Sequence, residues 1–277
     1  RTYRRARPKP TLRTQGLRAS NLSKGGKMFS RLRIARTGRS FVPDDDLQPH
    51  LTPLDEFWFD VNERPETHRP PGVGDVFPDF IAPSTQGQLQ FHDWAKGHWV
   101  HLFSMPDAFG PVGTSEVLGI AHHALDFDAL DVRNIAISPM PRIDLHMWKR
   151  ELERAFEVSF DLPMIEDQGG ELARYCGWQS AKDPGGEVMR KSYIIDPQLR
   201  VRLVFEYPRF VGRSISETIR VIEALQTLND VRDVCIPSDW HEGDALLVRR
   251  DVPTQRARQV FGDTVTEVTP FYRRIDF

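Results

Sequence analysis

Residues 105–116 read Met-Pro-Asp-Ala-Phe-Gly-Pro-Val-Gly-Thr-Ser-Glu, a proline-punctuated loop between a strand pattern and a helix pattern. Before it, Trp99–Ser104 forms an apolar run bounded by Gly97 and Pro106, which reads as a strand. After it, Val117, Ile120, Ala121 and Ala124 recur at helical spacing, predicting a helix over 113–125 with those residues on one face. Further along, 134–138 reads as a strand, 143–156 as a helix, and 192–196 as a strand turning through Pro197 and Gln198 into 201–207 as an antiparallel hairpin. Ser214 and Glu217 have capping-box spacing, and they open a helix to about residue 228 with Ile215, Ile219, Ile222 and Leu225 inward.

Strand, helix, strand, helix, hairpin, helix is the order of a thioredoxin-like α/β fold. The loop resembles the active-site segment of one-cysteine peroxiredoxins, His-Pro-x-x-Phe-Thr-Pro-Val-Cys-Thr-Thr-Glu, and Pro106, Phe109, Pro111, Val112, Thr114 and Glu116 match it. Gly74-Asp75-Val76-Phe77-Pro78-Asp79-Phe80 is similar to the Gly-Asp-x-x-Pro-x-Phe segment that opens that family's domain. Pro237-Ser238-Asp239-Trp240, Gly243-Asp244-Ala245 and Pro270-Phe271-Tyr272-Arg273 resemble its C-terminal extension. The resemblance covers about 73–277. It implies a peroxiredoxin-type thioredoxin fold over 74–232 and a small extension domain over 233–277. Because that extension reaches over a partner subunit in the family, it also implies a homodimer.

The departures fall where the family's chemistry sits. Gly113 replaces the peroxide-attacking cysteine, Gly110 the threonine three residues before it, and Met105 the histidine before Pro106. Peroxide reduction needs a thiolate, and glycine offers no atom that can become a sulfenic acid. Three coordinated losses fit natural divergence better than one engineered swap, and a kept frame without its reacting groups reads as a pseudoenzyme. Arg190 aligns with the family's thiolate-stabilising arginine, and Arg213 with a second arginine near the same pocket. Two readings follow for Arg190. It forms a vacated anion site with Arg213 at a helix N-terminus, or it simply pairs with Glu116.

Other candidates are weaker. Cys176 and Cys235, the only two cysteines, are possible surrogate thiols, although neither has the helix N-terminal setting that activates one; no disulfide framework or zinc spacing exists. The family's His-x-x-Trp keeps Trp148, but Leu145 stands at the histidine position and His146 lies one residue on. A phospholipase site credited to some members would use His92, yet its serine position is His98, so no acyl acceptor remains. His98 and His101 fall on opposite faces of a regular strand, and neighbouring His122 and His123 cannot face one ligand together. No metal and no cofactor is expected.

Length, 39% hydrophobic and 27% charged residues suit a soluble globular chain with a sizeable core, and no apolar run is long enough to cross a membrane. Charge is uneven: residues 1–40 hold thirteen Lys or Arg and no acid, leaving −15 on the remainder against −2 overall. This basic arm has the composition of an organelle transit peptide or of a tail for non-specific anionic surfaces, and its few aromatics exclude a sequence-specific nucleic-acid reader. The chain starts at Arg1, which suggests processing or truncation, and Met28 is a candidate internal start. Residues 41–73 form a Pro-rich linker whose apolar cluster, Leu54, Phe57, Trp58 and Phe59, should pack on the body or on a partner. A larger complex docked through 1–73 is one expectation. The sparse cysteines suit a reducing compartment, either a mitochondrial-type matrix or a bacterial cytoplasm.

Overall fold

The computed structural model describes residues 69–179 and 188–276; the basic arm and most of the linker, with its apolar cluster, lie outside the described residues. The first sheet opens with a hairpin of β1 (Ile81–Ser84) and β2 (Gly87–Gln90), followed by the short helix α1 (Phe91–Ala95). Next come β3 (Trp99–Ser104), α2 (Pro111–His122), α3 (Ala124–Ala129), β4 (Val132–Ser138), α4 (Arg142–Phe156) and β5 (Met164–Glu166). The domain closes with α5 (Glu171–Tyr175), the hairpin β6 (Arg190–Ile195) and β7 (Val201–Tyr207), and α6 (Ile215–Asp230). The strand order is β2-β1-β5-β4-β3-β6-β7, with β3, β4 and β5 mutually parallel and the flanking pairs antiparallel. This is the thioredoxin-like α/β arrangement expected from the element order.

Strand alternation divides the interior into two cores. Phe103, Ala136 and Ile194 pack on one face with Val117, Phe127, Trp148, Ile219 and Ile222. Leu102, Ile135 and Tyr193 pack on the other with Phe77, Phe80, Phe91 and Trp178. The central strand β3 is buried at every position, polar His101 and Ser104 included, so both of its faces are covered and no alternation of apolar and polar residues is visible there.

The predicted helix over 113–125 is corrected at both ends. It starts at Pro111, whose fixed φ and missing N–H suit the first helical position, and it breaks at His123 before the short α3. Ala124 is exposed rather than inward, and Phe127 of α3 fills the core instead. The capping box forms by half: the Glu217 N–H donates to Ser214 Oγ at 3.2 Å, while the Glu217 carboxylate pairs with Arg220 at 2.7 Å.

Beyond α6 a second sheet holds β8 (Val234–Cys235), β9 (Leu246–Val248), β10 (Val265–Thr269) and β11 (Tyr272–Ile275) in the order β10-β11-β9-β8, with α7 (Thr254–Phe261) between β9 and β10. Its own core is built from Val234, Trp240, Leu246, Val248, Ala257, Val265 and Ile275, with Ala224 reaching in from α6. The motif residues have structural work here. Trp240 donates its indole N–H to the Asp244 carbonyl at 3.0 Å, and buried Arg273 donates to the Val252 and Arg249 carbonyls at 2.6 and 2.8 Å. Among the described residues no helix is long and apolar enough to cross a membrane.

Candidate functional site

The site lies at the C-terminal end of β3, where parallel strands deliver their loops. Met105, fully buried, is pinned by donation of its N–H to the Ile137 carbonyl at 2.7 Å. Phe109 then takes φ +63°, a left-handed conformation that costs an aromatic residue energy and persists where surrounding contacts enforce it. Its ring centroid lies 6.5 Å from that of Trp148 on α4.

This loop geometry explains both glycines. A Cβ built on Gly110 would lie 2.1 Å from Asp107 Oδ2 and 2.5 Å from its Cγ. A Cβ on Gly113 would lie 2.8 Å from the Asp107 carbonyl oxygen, with Met105 Cγ next at 3.8 Å. At Gly113 the obstacle is backbone, which cannot step aside, whereas at Gly110 it is the end of the Asp107 side chain, which a new side chain there would have to displace. Two departures that look independent in sequence thus both face Asp107, one its side chain and the other its backbone.

Behind the loop lies a buried ion cluster. Arg190 on β6 donates from Nη1 to Glu116 Oε2 at 2.8 Å, from Nη2 to Asp107 Oδ1 at 3.3 Å and from Nε to the Arg209 carbonyl at 2.5 Å. Arg213, just before α6, donates from Nη1 to the same Glu116 oxygen at 2.7 Å, and its backbone N–H reaches Glu116 Oε1 at 2.9 Å. Arg190, Glu116 and Arg213 are only 1%, 3% and 7% exposed. Arg213 is fixed further by donation to Ser192 Oγ at 2.8 Å and to the Ser104 and Lys191 carbonyls at 2.6 and 3.0 Å, and it lies 5.1 Å over the Phe103 ring. Burial pulls its pKa down to about 10 against the opposing pull of Glu116, so it stays charged at neutral pH.

His101 extends this network. Its ring nitrogens meet Asn134 Oδ1 at 2.9 Å and Ser192 Oγ at 3.1 Å, and burial lowers its pKa to about 3. The folded chain therefore keeps His101 neutral while the unfolded chain protonates it below about pH 6.5. Its contribution to stability is complete above that pH and falls as pH drops toward 3, by up to about 1.4 kcal/mol per unit. Replacing His101 with Gln should abolish this slope, so the stability gap between wild type and variant narrows on acidification. Asp167, whose pKa burial raises to about 6, titrates in both proteins and cancels in the difference. Urea unfolding at pH 4.5 and pH 7 measures the gap.

Of the sequence candidates, Met105, Pro106, Gly110, Gly113, Glu116, Arg190 and Arg213 come together here. The cysteines do not join them. Cys176 is fully buried against the Leu172–Trp178 side of the second core, where burial pushes its thiol far up; Cys235 is exposed on β8 of the other sheet. Ellman's reagent should therefore titrate one thiol in the native protein and two after denaturation; two fast native thiols would contradict this placement. The histidines go separate ways: His92 Nε2 meets the Phe77 carbonyl at 2.7 Å, His98 pairs with Asp131 at 2.7 Å and His123 with Asp126 at 2.6 Å, while His146 is half-buried on α4 with its pKa lowered by burial and by Arg150. Leu145 and Trp148 are both core residues. Among the described residues no three potential ligands group as a metal site. A cavity of about 80 Å³ lies at the ends of β4 and β5, lined by Ser138, Asp167, Ala173, Trp178 and Val188, and no residue of the 105–116 loop lines it. Sequence reasoning missed Asp107, which occupies a variable position in the motif, and the Ser104, Ser192 and His101 contacts, which need the β3–β6 pairing to be seen.

Comparison with known proteins agrees with this geometry. Residues 73–204 match the AhpC/TSA family model. The mitochondrial peroxiredoxin PRX1 of Saccharomyces cerevisiae is 32% identical over 203 residues, covering 71% of this chain and 77% of that protein. Human peroxiredoxin-6 is 33% identical over 200 residues, covering 68% and 88%. The solved structure of a yeast mitochondrial one-cysteine peroxiredoxin superposes with a TM-score of 0.68 at 30% identity, covering 74% of this chain and 99% of that one. With the sheet order, the loop frame and the arginine pair in place, the chain belongs to the AhpC/TSA family, the peroxiredoxins.

Proposed function

We propose that this chain is a catalytically inactive peroxiredoxin that serves as a structural or binding subunit. One observation carries the reading: position 113 is glycine, and the space its side chain would need is taken by the Asp107 carbonyl. Without a thiolate there is no nucleophile to attack an O–O bond and no sulfur to store the oxygen. The purified protein, with both cysteines intact, should consume hydrogen peroxide no faster than a control protein of equal thiol content. A rate near that of an active peroxiredoxin would overturn the reading.

The subunit role rests on what the frame retains. The loop frame together with Glu116, Arg190 and Arg213 around an inert centre supports use of the fold as a surface, with a homodimer and a larger assembly docked through residues 1–73 as its forms, and with the basic arm meeting an anionic surface. Sedimentation of the full chain at native abundance distinguishes monomer, dimer and larger complex. A monomer that stays monomeric in extracts would remove this part. The relocated-thiol alternative has against it the burial of Cys176 and the separation of Cys235 from the arginine pair. Selective sulfenic acid or disulfide formation on either residue after peroxide exposure, read by mass spectrometry, would revive it.

A further inference from the structure

We propose that Asp107 is an intramolecular ligand: its carboxylate fills a monoanion subsite beside Arg190 that would otherwise accept a small carboxylate such as formate or acetate. This deepens the inactive reading, on which it rests, by naming what closes the vacated centre. It also replaces the expectation of an open anion pocket at Arg190 and Arg213 with one that is filled from within.

Charge is the first argument. Among the described residues, buried Arg190 and Arg213 share a single buried carboxylate, Glu116, so the three together carry one excess positive charge. An uncompensated charge away from water is costly, and Asp107 Oδ1, 3.3 Å from Arg190 Nη2, supplies the missing negative charge. The cluster then holds two cations and two anions. Position is the second argument. The carboxylate sits where a side chain on Gly110 would project, directly before the twelve-residue helix α2, whose positive end favours an anion. The third argument is access: Arg190 is buried, whereas the Asp107 side chain is 38% exposed, so the carboxylate forms the solvent side of the pair. A ligand entering from water would take that place.

Shape and charge can be separated in the full-length protein by thermal unfolding. Asp107→Ala vacates the subsite, so formate should raise its midpoint saturably by about 2–4 °C, while the wild type stays flat. Chloride at matched ionic strength and formamide, a neutral molecule of similar size, should leave both proteins unmoved. Asp107→Asn keeps the volume and loses the charge. It should melt below wild type and ignore formate, and it carries the comparison if the alanine variant does not fold. The proposal fails if formate shifts wild type and Asp107→Ala equally, or leaves the alanine variant unmoved, or if Asp107→Asn melts at the wild-type midpoint. None of these readouts depends on peroxide turnover, so an active wild-type protein would defeat the inactive reading while leaving the occupied subsite to be judged on its own melting data.

Discussion

Gly113→Cys, the substitution that restores the missing sulfur, should yield a protein with no peroxidase activity above wild type and a fold weakened by about 1–3 kcal/mol, the range for forcing atoms into a packed site. The new Cβ would begin 2.8 Å from the Asp107 carbonyl, and backbone cannot rotate away as the end of a flexible side chain can. For the loop to withdraw, Asp107 must let go of Arg190, and the segment is anchored at its start by the Met105 to Ile137 hydrogen bond. The thiol would then be crowded into a distorted turn rather than aligned for attack on an O–O bond. Grafting the whole motif over 105–113, with His at 105, Thr at 110, Cys at 113 and Asp107 replaced by a small residue, should outperform the single change. Steady-state peroxide consumption and urea unfolding measure the two effects. Rapid turnover by Gly113→Cys alone would mean that the loop yields easily and that the steric account is wrong.

Glu116→Ala should have the largest effect on stability, a loss of about 3–5 kcal/mol. Glu116 accepts from Arg190 Nη1, from Arg213 Nη1 and from the Arg213 backbone N–H, and its side chain and both guanidiniums are at most 2% exposed. Removing the carboxylate strands two cations in a medium that solvates them poorly and leaves a buried N–H without an acceptor. The network runs on through Arg213 to Ser192 and the Ser104 carbonyl, so the damage reaches the β3–β6 seam at the centre of the sheet. Glu116→Gln keeps an acceptor oxygen while losing the charge, and should lie between wild type and alanine. Denaturant midpoints at unchanged m-value give the comparison. A loss below about 1 kcal/mol for the alanine variant would show that water reaches the cluster and that its burial is not decisive.

Legibility followed the length and regularity of each element. The hairpin β6–β7 and helices α4 and α6 carry enough period to be read directly, and their ends moved by only one or two residues. β1 was missed because Ile81-Ala82-Pro83-Ser84 contains a proline, and β2 because Gly87-Gln88-Leu89-Gln90 has one apolar residue. β5 has three residues, too few for any period to show, and it is a strand because β1 and β4 flank it. The Trp240 and Arg273 motifs marked a C-terminal extension by resemblance only, and the second sheet was not read, because its strands, such as Tyr272-Arg273-Arg274-Ile275, are too short to show a period. In the site, the motif frame identified Glu116, Arg190 and Arg213, but a variable position conveys nothing through a motif, and Asp107 stands at one.

The amino-acid order alone determined that this protein has no sulfur at position 113, because the covalent chemistry of a side chain belongs to that residue wherever the chain puts it. It also determined the family frame, since prolines, glycines and apolar spacing act on their near neighbours. Tertiary structure decided where the lost volume went and how the arginine charges are balanced. Those depend on atoms brought together from residues 107, 116, 190 and 213, and both packing and electrostatics respond to distance in space rather than separation along the chain.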